Sequence, residues 1–155
     1  MLTQITTATP AETRTLATRL GPHLRPGHLI ALQGDLGSGK TTFAAGLAAG
    51  WGAREPATSP TFVIIHQYTR ADGQRLYHAD AYRLTTLADA ESAGLLDLLD
   101  QPDGALILEW PEHLAAALPP ARLTIAFTLI DDTTRQLTLT TSDPDHAALL
   151  AHLMR

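Results

Sequence analysis

The sequence predicts an α/β domain in which antiparallel hairpins extend a mainly parallel sheet. Two short apolar runs, His28–Gln33 and Ala105–Glu109, are typical of parallel strands that are buried on both faces. A glycine-rich turn separates the first run from a helical stretch, and two later pairs of strand-like segments are joined by tight turns. The chain has 155 residues, so we expect residues 1–155 to form one domain.

The first part of the chain predicts two alternating pairs of strand and helix. Leu2–Thr7 alternates polar and apolar residues like an edge strand. Thr9–Glu12 forms a capping box with proline at the first helical position, and Gly21 ends that helix. After the strand at 28–33, apolar residues at four-residue spacing predict a helix from Lys40 to about Trp51.

The remainder of the chain predicts two hairpins, one buried strand and several short helices. The hairpins turn at Ala71–Gly73 and at Asp131–Asp132. Thr85 or Thr86 caps a helix that ends at about Ser92, before Gly94. The other predicted elements are strands at 62–68, 75–80, 105–109, 123–130 and 136–140, a turn of helix at 95–99, a short helix at 111–118, and a last helix that begins at Asp143-Pro144.

The composition narrows the classes of function. The chain has no cysteine, which excludes a disulfide framework, a thiolate nucleophile and a cysteine zinc site. The formal net charge is -5, with 16 acidic and 11 basic residues, so we expect any link to nucleic acid to run through a partner. We find no signal peptide and no apolar run of membrane-spanning length, and we therefore expect a cytoplasmic protein.

The strongest motif is a phosphate-binding loop. Residues 34–41 read Gly-Asp-Leu-Gly-Ser-Gly-Lys-Thr, which matches G-x-x-x-x-G-K-[ST] between an apolar strand and a helix. Glycines let successive N–H groups turn toward phosphates, and the helix N-terminus adds partial positive charge. Lys40 is the only lysine of the chain, and it stands at the position where the motif needs one. The motif predicts the three-layer sandwich of P-loop NTPases and a bound nucleotide with Mg²⁺.

The identity of the base follows only by exclusion. Guanine-specific P-loop proteins use an Asn-Lys-x-Asp segment, and this chain has no asparagine and no second lysine. ATP is therefore favoured over GTP.

A P-loop nucleotide also needs a carboxylate at the end of a neighbouring strand, and two candidates exist. Glu109 ends the apolar run Leu106–Glu109, and Asp80 ends Leu76–Asp80, which follows the pattern of an apolar strand before an acid less closely. The alternatives are a surface acid for Glu109, an ion pair with Arg83 for Asp80, a packed or hydrogen-bonded ring for the nearby His78, and a core position for Trp110. The loop Thr58–Phe62 follows the predicted P-loop helix, where nucleotide-sensing loops commonly lie.

Four segments together resemble one family, the TsaE (YjeE) ATPases. They are residues 34–43 (GDLGSGKTTF), 59–62 (SPTF), 78–83 (HADAYR) and 108–112 (LEWPE), and their order and spacing match that family from about Thr9 to Arg135. Ala79 and Ala81 stand where the family usually has larger apolar residues. The resemblance implies an ATPase needed to form threonylcarbamoyladenosine next to the tRNA anticodon, at position 37.

The resemblance also implies roles for individual residues. Lys40 and the backbone of the loop would hold the phosphates, and Thr41 and Glu109 would hold Mg²⁺. Asp80 would order the metal shell or the attacking water, so that Lys40, Asp80 and Glu109 are the predicted catalytic residues. The implied nucleotide-binding residues are Thr9, Leu36, Gly37, Ser38, Gly39, Lys40, Thr41, Thr42, Thr61 and Arg135, with Thr61 in a switch-like loop and Thr9 and Arg135 beside the base.

The same resemblance implies partners. The ATPase would act with two paralogous proteins, TsaB-like and TsaD-like, one of which carries out the transfer, and these partners would hold the tRNA. Its hydrolysis would reset that complex. Two alternatives stay open at this point: a small metabolite kinase, although no long insertion offers an arginine-rich lid, and a nucleotide-dependent binding switch whose hydrolysis is incidental.

Overall fold

Seven strands form one mixed sheet in the computed structural model, which describes residues 1–54 and 65–154. The order across the sheet is β1-β7-β6-β2-β5-β4-β3. The strands are β1 (Leu2–Thr7), β2 (Leu29–Gln33), β3 (Ile65–Thr69), β4 (Arg75–Asp80), β5 (Ala105–Glu109), β6 (Leu123–Leu129) and β7 (Arg135–Thr140).

The centre of the sheet is parallel and its two sides are antiparallel. β6, β2, β5 and β4 run in one direction, whereas β7 and β1 extend one side and β3 the other as antiparallel strands. The predicted combination of a parallel core with antiparallel hairpins is confirmed. Because the central strands share one direction, their carboxyl ends meet at one edge of the sheet.

Helices cover both faces of the sheet, which gives three layers. The helices are α1 (Pro10–Leu20), α2 (Lys40–Trp51), α3 (Leu87–Ser92), α4 (Leu95–Asp100) and α5 (Pro144–Leu153), and Pro111–Ala117 forms a 3-10 segment. One buried cluster joins α1, α2 and α5 to one face, and a second joins α3, α4 and the 3-10 segment to the other. Along β2, Ile30 belongs to the first cluster and Leu29 to the second. Adjacent residues of the strand therefore point to opposite faces of the sheet and contribute to different hydrophobic clusters.

Helix α1 begins where the capping box predicts, with one shift in its hydrogen bonds. The Thr9 hydroxyl accepts from the Glu12 N–H at 3.1 Å, as expected of an N-cap. The Glu12 carboxylate accepts from the Ala8 N–H at 2.6 Å, one residue before the position that a capping box specifies.

The helix ends at Gly21 for a reason that the sequence does not show. Gly21 has a helical φ of -47° and opens a short 3-10 turn, so it needs no left-handed conformation. A Cβ at this position would lie 2.5 Å from the Leu47 carbonyl oxygen and from the Trp51 nitrogen. Glycine is therefore required by the close approach of α1 and α2.

Most predicted boundaries agree with the structure to within one residue. Helix α2 spans the predicted residues, and β7 begins one residue earlier than predicted. The predicted start of the third strand, at Phe62, lies outside the described residues. Within the two described ranges, no helix combines the length and apolar character that crossing a bilayer requires.

Candidate active site

A cavity of about 640 Å³ opens at the carboxyl ends of β2, β4 and β5, beside the N-terminus of α2. This is the edge of the sheet where ligands bind in open α/β folds. The lining residues are Pro10, Thr13, Leu36, Gly37, Ser38, Gly39, Lys40, Thr41, Thr42, Asp80, Tyr82, Arg83, Glu109, Trp110, Thr133 and Arg135. The structure therefore brings all three predicted catalytic residues and the phosphate loop into one cavity.

The phosphate loop depends on glycine at three of its positions. Gly34, Gly37 and Gly39 have φ values of 151°, 78° and 108°, a region that side chains with a Cβ rarely adopt. At Gly34 space is also restricted, because a Cβ would lie 2.6 Å from the Ser38 hydroxyl and 3.0 Å from the Phe127 carbonyl oxygen. The conformation of the loop therefore favours glycine at these three positions.

Lys40 is held in place by two contacts. Its ammonium group donates to the Gly34 carbonyl oxygen and lies 3.6 Å from the centre of the Trp110 ring. Burial lowers the pKa of Lys40, and the Glu109 carboxylate acts in the opposite direction. The cation is therefore positioned at the loop and faces the strand-end carboxylates.

Glu109 is buried at the end of β5, with donors on both carboxylate oxygens. Only 2% of the residue is exposed. One oxygen accepts from the Thr41 hydroxyl at 3.2 Å, and the other lies 2.6 Å from His78 Nε2. The alternative that Glu109 is a surface acid is therefore wrong. The other reading of His78, as a hydrogen-bonded ring, describes what the structure shows.

Thr41 and Glu109 form a donor set that fits Mg²⁺. Both present oxygen atoms to the cavity, and their oxygens lie 3.2 Å apart. Mg²⁺ binds oxygen ligands and usually takes one or two protein groups together with phosphates and water. These two residues could therefore hold the metal of a nucleotide bound to the loop.

Asp80 lies next to Glu109 because β4 and β5 pair in parallel, with Asp80 opposite Glu109 in the register. One oxygen of Asp80 accepts from the Tyr82 N–H at 2.8 Å. Burial raises the pKa of Asp80, opposed by that hydrogen bond and reinforced by the nearby Glu109 charge. Among the residues that the structure describes, Asp80 makes no ion pair with Arg83.

Sequence reasoning missed the part that Trp110 takes in the site. Trp110 is half-buried and packs against the second hydrophobic cluster, as the predicted core position implies, but its ring also lines the cavity, over Lys40 and 5.0 Å from the Tyr82 ring. Trp110 has φ 59° and is the one residue other than glycine with a positive φ in the described ranges. An aromatic residue directly after a strand-end acid was the signal that could have found it.

The remaining predicted residues lie in different places. Arg135, at the start of β7, lines the cavity and donates to the carbonyl oxygens of Ser38 and Gly37. Thr9 caps α1, whereas its neighbours Pro10 and Thr13 line the cavity. Thr61 lies outside the described residues.

Comparisons of the sequence with known proteins all match the same family. Residues 7–137 match the family model described as "Threonylcarbamoyl adenosine biosynthesis protein TsaE". A Bacillus subtilis (strain 168) protein named "tRNA threonylcarbamoyladenosine biosynthesis protein TsaE" is 37% identical over 150 residues, which cover 96% of this chain and 92% of that protein. A Streptomyces coelicolor protein of the same name is 42% identical over 111 residues, or 71% of this chain and 74% of the relative.

The fold has a solved counterpart. The crystal structure of Bacillus subtilis YdiB superposes with a TM-score of 0.79 and 32% identity, covering 100% of this chain and 95% of that one.

Proposed function

Since the chain belongs to the TsaE family, we propose that it is a Mg²⁺-dependent ATPase that acts in the formation of threonylcarbamoyladenosine in tRNA. One observation carries the enzymatic part of the proposal: Lys40, Thr41 and Glu109 meet in one cavity, with Asp80 beside them. Those groups are the cation, the hydroxyl and the carboxylates that P-loop nucleotide hydrolysis needs.

The loop and Lys40 bind and orient the phosphates. The N–H groups at the start of α2 and the partial positive charge of the helix attract the anion. The Lys40 ammonium, now on the Gly34 carbonyl oxygen and the Trp110 ring, exchanges these weak contacts for phosphate oxygens. The phosphate charge then meets an ammonium group on a residue that is already largely withdrawn from water, since only 5% of Lys40 is exposed.

Thr41 and Glu109 hold Mg²⁺, which neutralises the charge on the phosphate oxygens when the metal is bound. His78 Nε2 lies 2.6 Å from one oxygen of the Glu109 carboxylate, and both side chains are buried, so this contact fixes the orientation of the carboxylate. One Glu109 oxygen is thus committed to His78, whereas the other faces Thr41 and the cavity. His78 is therefore a positioning residue for this ligand.

Asp80 orients the attacking water. One of its oxygens is used by the Tyr82 N–H, and within the described part of the chain no hydrogen bond uses the other. That oxygen is available to accept a hydrogen bond from water. Because the pKa of Asp80 is raised, the carboxylate is a better proton acceptor than an ordinary surface aspartate.

The tRNA is reached through partners. We infer that two proteins, TsaB-like and TsaD-like, bind the tRNA, that one of them transfers the threonylcarbamoyl group, and that ATP hydrolysis resets their complex. The net charge of -5 fits a component that does not grip nucleic acid by itself. From this division of labour we infer a cytoplasmic protein.

Two rates measured with purified components test this proposal. We expect slow ATP hydrolysis by the protein alone and faster hydrolysis with both partners, because a partner can complete the stabilisation of the transition state. Repeated rounds of tRNA modification should require this protein and hydrolysable ATP. If the partners neither bind it nor change its rate, and modification proceeds equally without it, the proposal fails.

The loop that contains Thr61 offers a sharper test of the same idea. Thr61→Ala should reduce the acceleration by the partners more than it reduces ATP binding, if this loop is the element that a partner orders. Thr69→Ala, at the exposed end of β3, is the matched control and should change neither quantity. Equal effects of Thr61→Ala on binding and on acceleration would assign the residue to the nucleotide alone.

A further inference from the structure

Arg135 makes an unusual set of contacts for a residue at a nucleotide cavity. Its guanidinium donates to four backbone carbonyl oxygens: Ser38 at 3.1 Å, Gly37 at 3.3 Å, Asp131 at 2.9 Å and Thr134 at 3.2 Å. Two of these acceptors belong to the phosphate loop and two to the turn between β6 and β7. The side chain thus joins the loop to the edge of a hairpin.

These bonds constrain how the loop presents its N–H groups. In a trans peptide the carbonyl of one residue and the N–H of the next point in opposite directions. By holding the carbonyls of Gly37 and Ser38, Arg135 fixes the orientation of the Ser38 and Gly39 N–H groups. The Ser38 N–H closes the turn on the Asp35 carbonyl oxygen at 3.1 Å. The Gly39 N–H makes no backbone hydrogen bond within the described residues and remains for a ligand.

The loop needs such a constraint because it is rich in glycine. Gly34, Gly37 and Gly39 permit its conformation, yet glycine also has the largest conformational freedom to lose. A loop that is ordered before the ligand arrives avoids part of this entropic cost on binding.

The base of Arg135 is itself firmly held. Its backbone pairs with Thr7 of β1 on one side and Leu129 of β6 on the other. The adjoining turn is closed by the Asp131 carboxylate, which accepts from the N–H groups of Thr133 and Thr134 at 3.0 and 2.8 Å. The planar guanidinium therefore presents several N–H donors in fixed directions from an ordered hairpin. A lysine ammonium group does not provide this geometry.

We infer that Arg135 is a positioning residue that pre-forms the phosphate loop by holding its carbonyl groups, and that its main effect is on phosphate binding and not on recognition of the base. This inference rests on the proposed nucleotide site. It differs from the role beside the base that the family resemblance implies.

A base-free ligand separates the two roles. We would measure the affinity for ADP and for tripolyphosphate in the parent protein, Arg135→Met, Arg135→Lys and the control Arg75→Met. Arg75 pairs with Asp103 on the surface, away from the cavity. Arg135→Met should weaken both ligands by the same factor, about tenfold for two lost hydrogen bonds. Arg135→Lys should show most of that loss, and Arg75→Met none.

Hydrogen exchange of the Ser38 amide in the ligand-free protein gives a second readout. It should be faster in Arg135→Met than in the parent and unchanged in Arg75→Met, since only the first variant frees the loop. Thermal unfolding of each variant shows that the fold is intact.

Several outcomes would overturn the inference. A loss of ADP affinity without a loss of tripolyphosphate affinity would place Arg135 on the base or ribose. Full recovery in Arg135→Lys would reduce its role to charge, and unchanged Ser38 exchange would show that it does not order the loop. These readouts involve no hydrolysis and no tRNA. The proposed function can therefore fail, by absent turnover or absent partner binding, while the inference about Arg135 stands.

Discussion

The cavity has two walls that are built in different ways. The phosphate wall, residues 34–41, is a continuous segment whose shape comes from glycines and from the start of α2. The acidic wall consists of Asp80 and Glu109, at the ends of β4 and β5, and of Trp110, directly after β5, and the parallel pairing of the two strands brings these residues together. One wall is thus a local property of the chain, whereas the other exists only in the folded sheet.

The walls also differ in how they are supported. The phosphate wall is held by hydrogen bonds to its backbone, including those that the Arg135 side chain donates to the carbonyl oxygens of the loop. The acidic wall is held through side chains, since buried His78 fixes Glu109. A substitution in the first wall should therefore act on binding of phosphate. One in the second should act on the metal or on the rate.

The largest effect is expected at Lys40, where the two walls meet. Lys40→Ala removes the cation that faces the phosphates, so ATP hydrolysis should fall by about 10²–10³-fold. The fold should persist, because the buried hydrophobic clusters do not depend on this side chain. Steady-state rates and a thermal melt measure both quantities.

Arg14→Ala, on the exposed side of α1, controls for the loss of one positive charge. If Lys40→Ala melts normally and hydrolyses ATP at the parental rate, the phosphate wall does not have the role assigned to it.

The next prediction separates the two acids of the acidic wall. Glu109→Gln should weaken nucleotide binding only when Mg²⁺ is present and should abolish turnover, because the metal loses a charged ligand. Asp80→Asn should keep nucleotide affinity and slow hydrolysis by about 10–100-fold, the pattern of a group that acts in the transition state. Calorimetric titrations with and without Mg²⁺ distinguish them. Equal losses of affinity in both variants would contradict the division of roles.

The difference between the walls also explains how much of the site could be predicted from the sequence. The phosphate wall follows from residues 34–41 alone, because its chemistry is a contiguous motif after a buried strand. Glu109 and Asp80 were predicted as strand-end acids, but their proximity depends on β4 and β5 being neighbours, which no local pattern specifies. The position of Trp110 directly after Glu109 is a signal that it lies at the site, but no local pattern specifies its contact with Lys40 or the contact of His78 with Glu109.

The fold was predicted more completely than the site. Alternation, capping residues and turn residues predicted most strands and helices, because those signals are local. The order of strands and the close packing of α1 on α2 were not predicted. That packing depends on glycines that meet carbonyl groups of another helix, as at Gly46 and Gly50.

A smaller effect is expected where this packing supports the phosphate wall. At Gly46 an added Cβ would lie 2.5 Å from the Arg14 carbonyl oxygen and 2.8 Å from Ala17 Cβ. Gly46→Ala should therefore destabilise the protein by about 1–3 kcal/mol, although alanine is the better helix former. Because α2 begins at the phosphate loop, we also expect weaker binding of ADP. Urea denaturation and ADP titration measure the two effects.

Ala49→Gly, on the exposed side of the same helix, is the matched control. It should cost about 1 kcal/mol through helix propensity and leave ADP affinity unchanged. A Gly46→Ala protein as stable as the parent would show that α1 can move away from α2 without cost.

The smallest effect on the cavity is expected at His28, at the opposite end of β2 from the phosphate wall. Burial is the main cause that lowers the pKa of His28 to about 4, with the His146 ring adding to it. In the unfolded chain the value returns to about 6.5, so the unfolded state binds the proton more readily. The contribution of neutral His28 to stability is therefore complete above pH 6.5 and is lost as the pH falls toward 4, by about 2 kcal/mol at pH 5.

His28→Asn isolates this contribution from the other groups that titrate in acid. The asparagine oxygen can accept the Arg25 N–H that His28 Nδ1 now accepts at 3.0 Å, and it does not titrate. The loss of unfolding free energy between pH 7.5 and 5 should be smaller in the variant than in the parent by about 2 kcal/mol. Because β2 is anchored at this end by backbone and ring contacts and not by the cavity, ADP affinity at pH 7.5 should be the same in both proteins. If both proteins lose the same stability between these pH values, then His28 is as easily protonated in the folded chain as in the unfolded one, and the two ends of β2 differ less than the structure indicates.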